Sequence, residues 1–110
     1  MSHNPSHHSN SPDITAAELH ERLKAGEKLS IVDVREPIEF HTNNVGGENI
    51  PLGKLTQEPD ELPFDEGEEI ILICQAGLRS RTAQQILQQN GYTHTRNLKG
   101  GLLALRRLGG

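Results

Sequence analysis

Four consecutive apolar residues, Ile70-Ile71-Leu72-Ile73, run without a polar alternate and end on Cys74-Gln75-Ala76-Gly77-Leu78-Arg79-Ser80. A strand with one wet face alternates; an unbroken, largely β-branched run needs cover on both faces, as strands of a parallel sheet have. Residues 29–34 are a second run, β-branched and largely apolar, and residues 95–98 form the last strand that the sequence predicts. Helical patterns lie between them. Thr15-Ala16-Ala17-Glu18 has the spacing of a capping box, in which the Thr15 hydroxyl accepts from the Glu18 amide and the Glu18 carboxylate reaches back to the Thr15 amide. Leu19 and Leu23 share the helical face that follows, and Gly26 ends it. After the cysteine loop, Ala83, Ile86 and Leu87 share another helical face closed by Asn90-Gly91, and residues 102–108 form a short last helix. Pro37 suits the first turn of a short helix, and residues 45–51 read as a loop leading into a short strand. Strands alternating with helices at this spacing indicate an α/β domain with a parallel sheet.

A chain of 110 residues is one domain, and with 3% aromatics and no Trp its core must be aliphatic. Residues 1–12 hold Ser, Asn, His and Pro with only Met1 apolar, so they are expected to form a disordered tail before a domain at 13–110. In that tail His3, His7 and His8 would bind a metal only adventitiously. There is no apolar run that could span a bilayer and no apolar core of a signal peptide near Met1, so a cytoplasmic location without membrane or nucleic-acid partners is expected. A single cysteine excludes an internal disulfide framework and a zinc site built on a CxxC pair. Neither a metal nor a cofactor is expected.

The charges are unevenly placed. Residues 1–69 carry all 15 acids and 5 bases, net −10, whereas residues 70–110 carry 6 bases and no acid, net +6. The basic segment is expected to steer an anionic donor or a protein acceptor through Arg79 and either Arg96 or Lys99. Residues 57–69, with seven acids, two prolines and a glycine, read as a solvated excursion.

Chemistry concentrates where the run 70–73 gives way to a helix. Ligands of parallel α/β sheets bind at the carboxyl ends of the strands. A loop that wraps a thiol and then enters a helix aims backbone N–H groups and the positive end of the helix dipole at one point, which binds anions and favours thiolate. Arg79 adds a planar cation able to hold two oxygens of an oxyanion, Ser80 adds a hydroxyl, and Gly77 supplies the positive φ of a tight loop. Arg81 reads as a solvated helix residue. Asp33 and Arg35, at the end of the run 29–34, either lie near the thiol or form a structural ion pair that fixes the loops; the ion pair is preferred for Asp33.

Asp33-Val34-Arg35-Glu36-Pro37-Ile38-Glu39-Phe40, the stretch 47–51, the loop 74–80 and Asn97-Leu98-Lys99-Gly100-Gly101 together, in this order, resemble single-domain rhodaneses over residues 13–108. The resemblance implies a five-stranded parallel sheet flanked by helices and a catalytic cysteine that carries a persulfide between a sulfur donor and a nucleophilic acceptor. By position, Cys74 would bear the persulfide, Gln75, Ala76, Gly77, Leu78 and Arg79 would cradle its outer sulfur, and Arg79 would anchor the anion. The donor implied is thiosulfate-like, and the acceptor is a thiol, cyanide or a protein sulfur carrier. Asn44-Val45-Gly46-Gly47-Glu48-Asn49-Ile50-Pro51 is similar to rhodanese domains fused to the adenylating enzymes of molybdopterin and thiocarboxylate synthesis, which points to the sulfur carrier. Leu105 stands where the family usually has Trp, and it can fill an aliphatic core there.

Three other readings are open to the sequence. Phosphatases that control the cell-division cycle resemble this architecture, but four residues separate Cys74 from Arg79 where those enzymes have five, and the tighter loop fits a single sulfur better than a phosphate. The main alternative is a non-catalytic rhodanese-like module for binding or regulation, a loss usually marked by absence of the cysteine. Gly109-Gly110 resembles the end of ubiquitin-like sulfur carriers, yet their hairpin-first pattern is missing and a frayed terminus accounts for it.

Overall fold

The computed structural model describes residues 11–109. Five parallel strands, β1 (Asp13–Ile14), β2 (Ser30–Asp33), β3 (Glu48–Asn49), β4 (Ile70–Ile73) and β5 (Thr95–Leu98), form one sheet in the order β1-β5-β4-β2-β3. Five helices connect or follow them: α1 (Ala16–Lys24), α2 (Pro37–Thr42), α3 (Leu52–Gln57), α4 (Leu78–Gln89) and α5 (Gly101–Gly109). The expected α/β class and parallel sheet are what the chain forms.

The unbroken apolar run occupies the central strand, with β2 on one side and β5 on the other; Leu72 stands in register with Val32 and with Asn97. Successive side chains of a strand point to opposite faces, so β4 feeds two cores. Ile71 and Ile73 join Ile14, Leu19, Ile31, Leu98, Leu102 and Leu105 beneath α1 and α5. Ile70, Leu72 and Cys74 join Val32, Val34, Leu55, Ala83 and Leu87 beneath α3 and α4. All four residues of β4 are 0% exposed, and at about 1.5–3 kcal/mol for each buried side chain the strand is a rigid base for the loop that leaves it. Leu105 lies in the aliphatic core, as its place in the sequence required.

Several sequence expectations change. Thr15 caps α1 by accepting from the Glu18 amide at 3.0 Å, but the other half of the capping box is not made, because the Glu18 carboxylate binds Arg96 at 2.7 and 3.1 Å. The stretch 57–69 is only partly a solvated excursion. Leu62 and Phe64 pack on the core, and Glu69 pairs with Arg22 at 2.6 Å and with Arg96 at 3.2 Å. Both β1 and α3 lacked a pattern strong enough to read, since a two-residue edge strand and a six-residue helix do not complete two hydrophobic periods. Of the tail expected over 1–12, residues 1–10 with His3, His7 and His8 lie outside the described residues, as does Gly110. Ser11 and Pro12 belong to the fold, their carbonyls accepting from the Arg96 guanidinium at 2.9 Å and the Asn97 amide at 2.8 Å.

Candidate active site

Cys74 directly follows the central strand, on the face covered by α3 and α4, and is 1% exposed. The chain then turns through Gly77, whose φ of +94° only glycine adopts without strain, and enters α4 at Leu78. This turn brings the helix start back onto the sulfur. The Gly77 amide donates to Cys74 Sγ at 3.0 Å and the Ser80 amide at 3.3 Å, while Ser80 Oγ lies 3.2 Å from Sγ. Burial pushes the thiol pKa up; the Ser80 hydroxyl, only when its proton faces Sγ, and in every case the Ser80, Gly77 and Ala76 amides act against it, leaving the thiol below its ordinary value. Surroundings of this kind favour the thiolate over the thiol.

The loop is braced from behind. Carbonyl oxygens that would crowd an anion are turned outward and bound: Cys74 O accepts from Leu102 N at 3.0 Å and Gln75 O from Leu103 N at 3.1 Å, both in the first turn of α5. Gly101 makes this approach possible, since a Cβ there would lie 2.3 Å from Gln75 O. Asn97, at the end of β5 and 2% exposed, donates from Nδ2 to Gly77 O at 3.2 Å and accepts the Ser80 hydroxyl at Oδ1. Neither Asn97 nor Gly101 carried a role in the sequence reading. Their signal was the stretch 97–101, two adjacent glycines after a buried amide.

The remaining expected residues take different places. Asp33 and Arg35 form a buried ion pair, Arg35 Nε donating to Asp33 Oδ1 at 2.9 Å and Nη2 to Oδ2 at 2.8 Å, and a further bond from Arg35 to Asn43 O at 2.8 Å ties the loop after α2 to the strand end. The ion-pair reading of Asp33 therefore holds. Gln75 and Arg35, with Glu39, Thr42, Asn43 and Arg106, line a cleft of about 320 Å³ beside the loop. Ala76 and Leu78 are exposed, Leu78 at 77%, and of these two only Ala76 acts on the thiol, through its amide. The Arg79 guanidinium makes its hydrogen bonds to a carboxylate and not to the sulfur. It binds the Glu39 carboxylate at 2.7 and 3.0 Å, which keeps the guanidinium charged and holds the Glu39 carboxyl down at about 2.

The division of charge along the chain is resolved in part within the molecule. Arg79 pairs with Glu39, Arg81 with Asp13 at 2.6 Å, and Arg96 with Glu18 and Glu69, so each of these bases meets an acid of the first 69 residues. Arg81 is thus a tether of β1 and not simply a solvated residue. Arg96, with a side chain 2% exposed, has no surface from which to steer a ligand. Among the described residues Lys99, Arg106 and Arg107 make no ion pair, and Arg106 donates to Asn43 at the cleft.

Comparison with known proteins agrees with this geometry. The model of the family described as "Rhodanese-like domain" matches residues 15–107. The chain is 43% identical over 83 residues to the uncharacterized protein YqhL of Bacillus subtilis, covering 74% of this chain and 64% of that protein. It is 31% identical over 98 residues to a protein of Allochromatium vinosum named "Sulfurtransferase", covering 88% of this chain and 90% of that one. Among solved structures the human single-domain sulfurtransferase TSTD1 superposes with a TM-score of 0.77 at 25% identity, covering 88% of this chain and 96% of that one. The chain spans 49% to 64% of the length of several curated relatives. With a five-stranded parallel sheet, a cysteine loop closing onto a helix start, and a family match running from the cap of α1 into α5, the chain belongs to the rhodanese-like domain family.

Proposed function

We propose that this chain is a sulfurtransferase in which Cys74 carries a sulfane sulfur from an anionic donor of the thiosulfate type to a nucleophilic acceptor. The observation that carries this reading is the convergence of the Gly77 and Ser80 amides on Cys74 Sγ at the start of α4. Such donors hold negative charge on sulfur without reorganising. The Cys74 thiolate attacks the outer sulfur of thiosulfate; a new sulfur–sulfur bond forms to Sγ as the old one breaks, and its electron pair leaves with sulfite. A thiol or cyanide then attacks the outer sulfur, and Sγ departs as thiolate. The cleft beside the loop, in which Arg35 is paired with Asp33, Glu39 with Arg79, and Arg106 makes no ion pair among the described residues, offers space for the donor's anionic end and one unpaired positive charge. Relatives named as sulfurtransferases support the reaction class.

The test is intact-mass analysis after thiosulfate treatment, with and without a thiol reductant. Wild-type protein should gain one reducible sulfur atom per chain and form thiocyanate from cyanide, and Cys74→Ser should do neither. Arg79→Ala should raise the thiosulfate concentration for half-maximal loading by roughly tenfold at most, because Glu39 already engages the guanidinium and solvent screens both. A folded wild-type protein that takes up no sulfur would replace this reading with that of a binding module.

A further inference from the structure

Ser80 has one hydroxyl proton and two neighbours that compete for it. Its Oγ lies 3.2 Å from Cys74 Sγ and is hydrogen-bonded to Asn97 Oδ1. The orientation of the Asn97 amide is settled on its other side, where Nδ2 donates to the Gly77 carbonyl at 3.2 Å; a flipped amide would set two acceptors against each other. Oδ1 is therefore the atom facing Ser80, and an amide oxygen only accepts. Ser80 and Asn97 are 0% and 2% exposed, so an Oδ1 left without a donor has no water to turn to.

From this we infer that Asn97 is a positioning residue that draws the Ser80 hydroxyl proton away from Cys74, so that Ser80 accepts from the resting thiol and the loop amides alone hold the sulfur once it is charged. In the resting site the protons run in one direction, from Sγ–H to Ser80 Oγ and from Ser80 Oγ–H to Asn97 Oδ1, and every group is satisfied. Turning the hydroxyl toward a thiolate would strand Oδ1. The inference adds to the sulfurtransferase reading a reason for the conformation of Ser80: a thiolate with fewer donors is a stronger nucleophile, while the Gly77 and Ser80 amides remain to hold it.

Thiol titration tests this without any sulfur donor, through the pH dependence of alkylation of Cys74 by iodoacetamide in wild type, Ser80→Ala, Asn97→Leu and the double variant. The charged groups on neighbouring elements, the Arg79–Glu39 and Asp33–Arg35 pairs, Lys99 and Arg106, are the same in all four proteins. Thermal melts establish that each is folded. Ser80→Ala should leave the alkylation midpoint unchanged or lower it, because the thiol loses its acceptor and the thiolate loses nothing. Asn97→Leu should lower it, raising the rate well below the midpoint by roughly tenfold as the freed hydroxyl turns to the thiolate. That gain should vanish when Ser80 is also alanine, whereas loosening of Gly77 acts equally in both backgrounds and cancels. A midpoint raised by Ser80→Ala would overturn the inference, as would an Asn97→Leu effect of the same size without Ser80. Should Asn97→Leu not fold, the direction of the Ser80→Ala change decides alone. Thiosulfate loading is read separately, so a protein that titrates as stated and takes up no sulfur would overturn the sulfurtransferase reading while leaving the proton arrangement standing.

Discussion

Glu39 shows how one residue's titration reports the geometry of the site. The Arg79 guanidinium, followed by a bond from the Glu36 amide, holds its carboxyl at about 2. Unfolded, it titrates at about 4.3. A carboxyl depressed in the folded state contributes stability that is present above the unfolded value and lost as pH falls from there through about 2. Both partners are about a third exposed, so solvent limits the effect to about 1 kcal/mol or less. Urea unfolding midpoints measured from pH 6 downward should therefore fall more steeply in wild type than in Glu39→Gln over that window; equal slopes would mean that the pair is not formed. Cys74, Gly77 and Ser80 could be assigned from the sequence because their roles follow from adjacency in one loop. The partner of Arg79 could not, because 40 residues separate it from Glu39 along the chain and only the packing of α2 beside the start of α4 brings them together.

At the scale of elements, the loop depends on α5 as much as on α4. The first-turn amides of α5 bind the carbonyls of Cys74 and Gln75, and the contact requires a residue without Cβ at position 101, where φ is +65°. Gly101→Ala should lower stability by at least about 2 kcal/mol and slow sulfur loading, since the loop must shift to clear a Cβ placed 2.3 Å from Gln75 O. Gly53, within α3, is the contrasting case. A Cβ there meets nothing within 4 Å, so Gly53→Ala should raise stability by about 0.5–1 kcal/mol through the entropy of the unfolded chain and leave loading unchanged. Chemical denaturation of both variants checks the opposite signs.

Across the whole molecule, a buried ion network joins elements that the sheet alone holds weakly. Arg96 on β5 binds Glu18 of α1 and Glu69 before β4, and its guanidinium also donates to Ser11 O and Asp13 O, clasping the two-residue edge strand β1. Removing one partner strands the others, so Arg96→Met should cost about 3–5 kcal/mol. Little of that loss should depend on salt, because a pair this far from solvent is weakly screened. A loss below about 1 kcal/mol, or one that disappears at high ionic strength, would show the network to be a surface feature. The same pairing accounts for half of the bases after residue 69: Arg79, Arg81 and Arg96 face acids from the first part of the chain, whereas Lys99, Arg106 and Arg107 make no ion pair among the described residues.

The sequence by itself determined the α/β class, the strands β2, β4 and β5, the helices that follow them and the cysteine loop, because each is written in short-range terms: periods of two and 3.6 residues, caps, and a glycine where φ must be positive. It also carried the family, through four blocks in order. Only the tertiary structure decided which partners the polar groups take. The Glu18 carboxylate was equally able to close its own capping box or to reach Arg96, and burial of Arg96, which cannot lose its charge, made the second arrangement far more favourable. Asn97 read as one polar residue in a short strand. Its place beside Gly77 and Ser80 follows from the pairing of β5 with β4, and in that water-free position each donor and acceptor must find a partner wherever the fold supplies one.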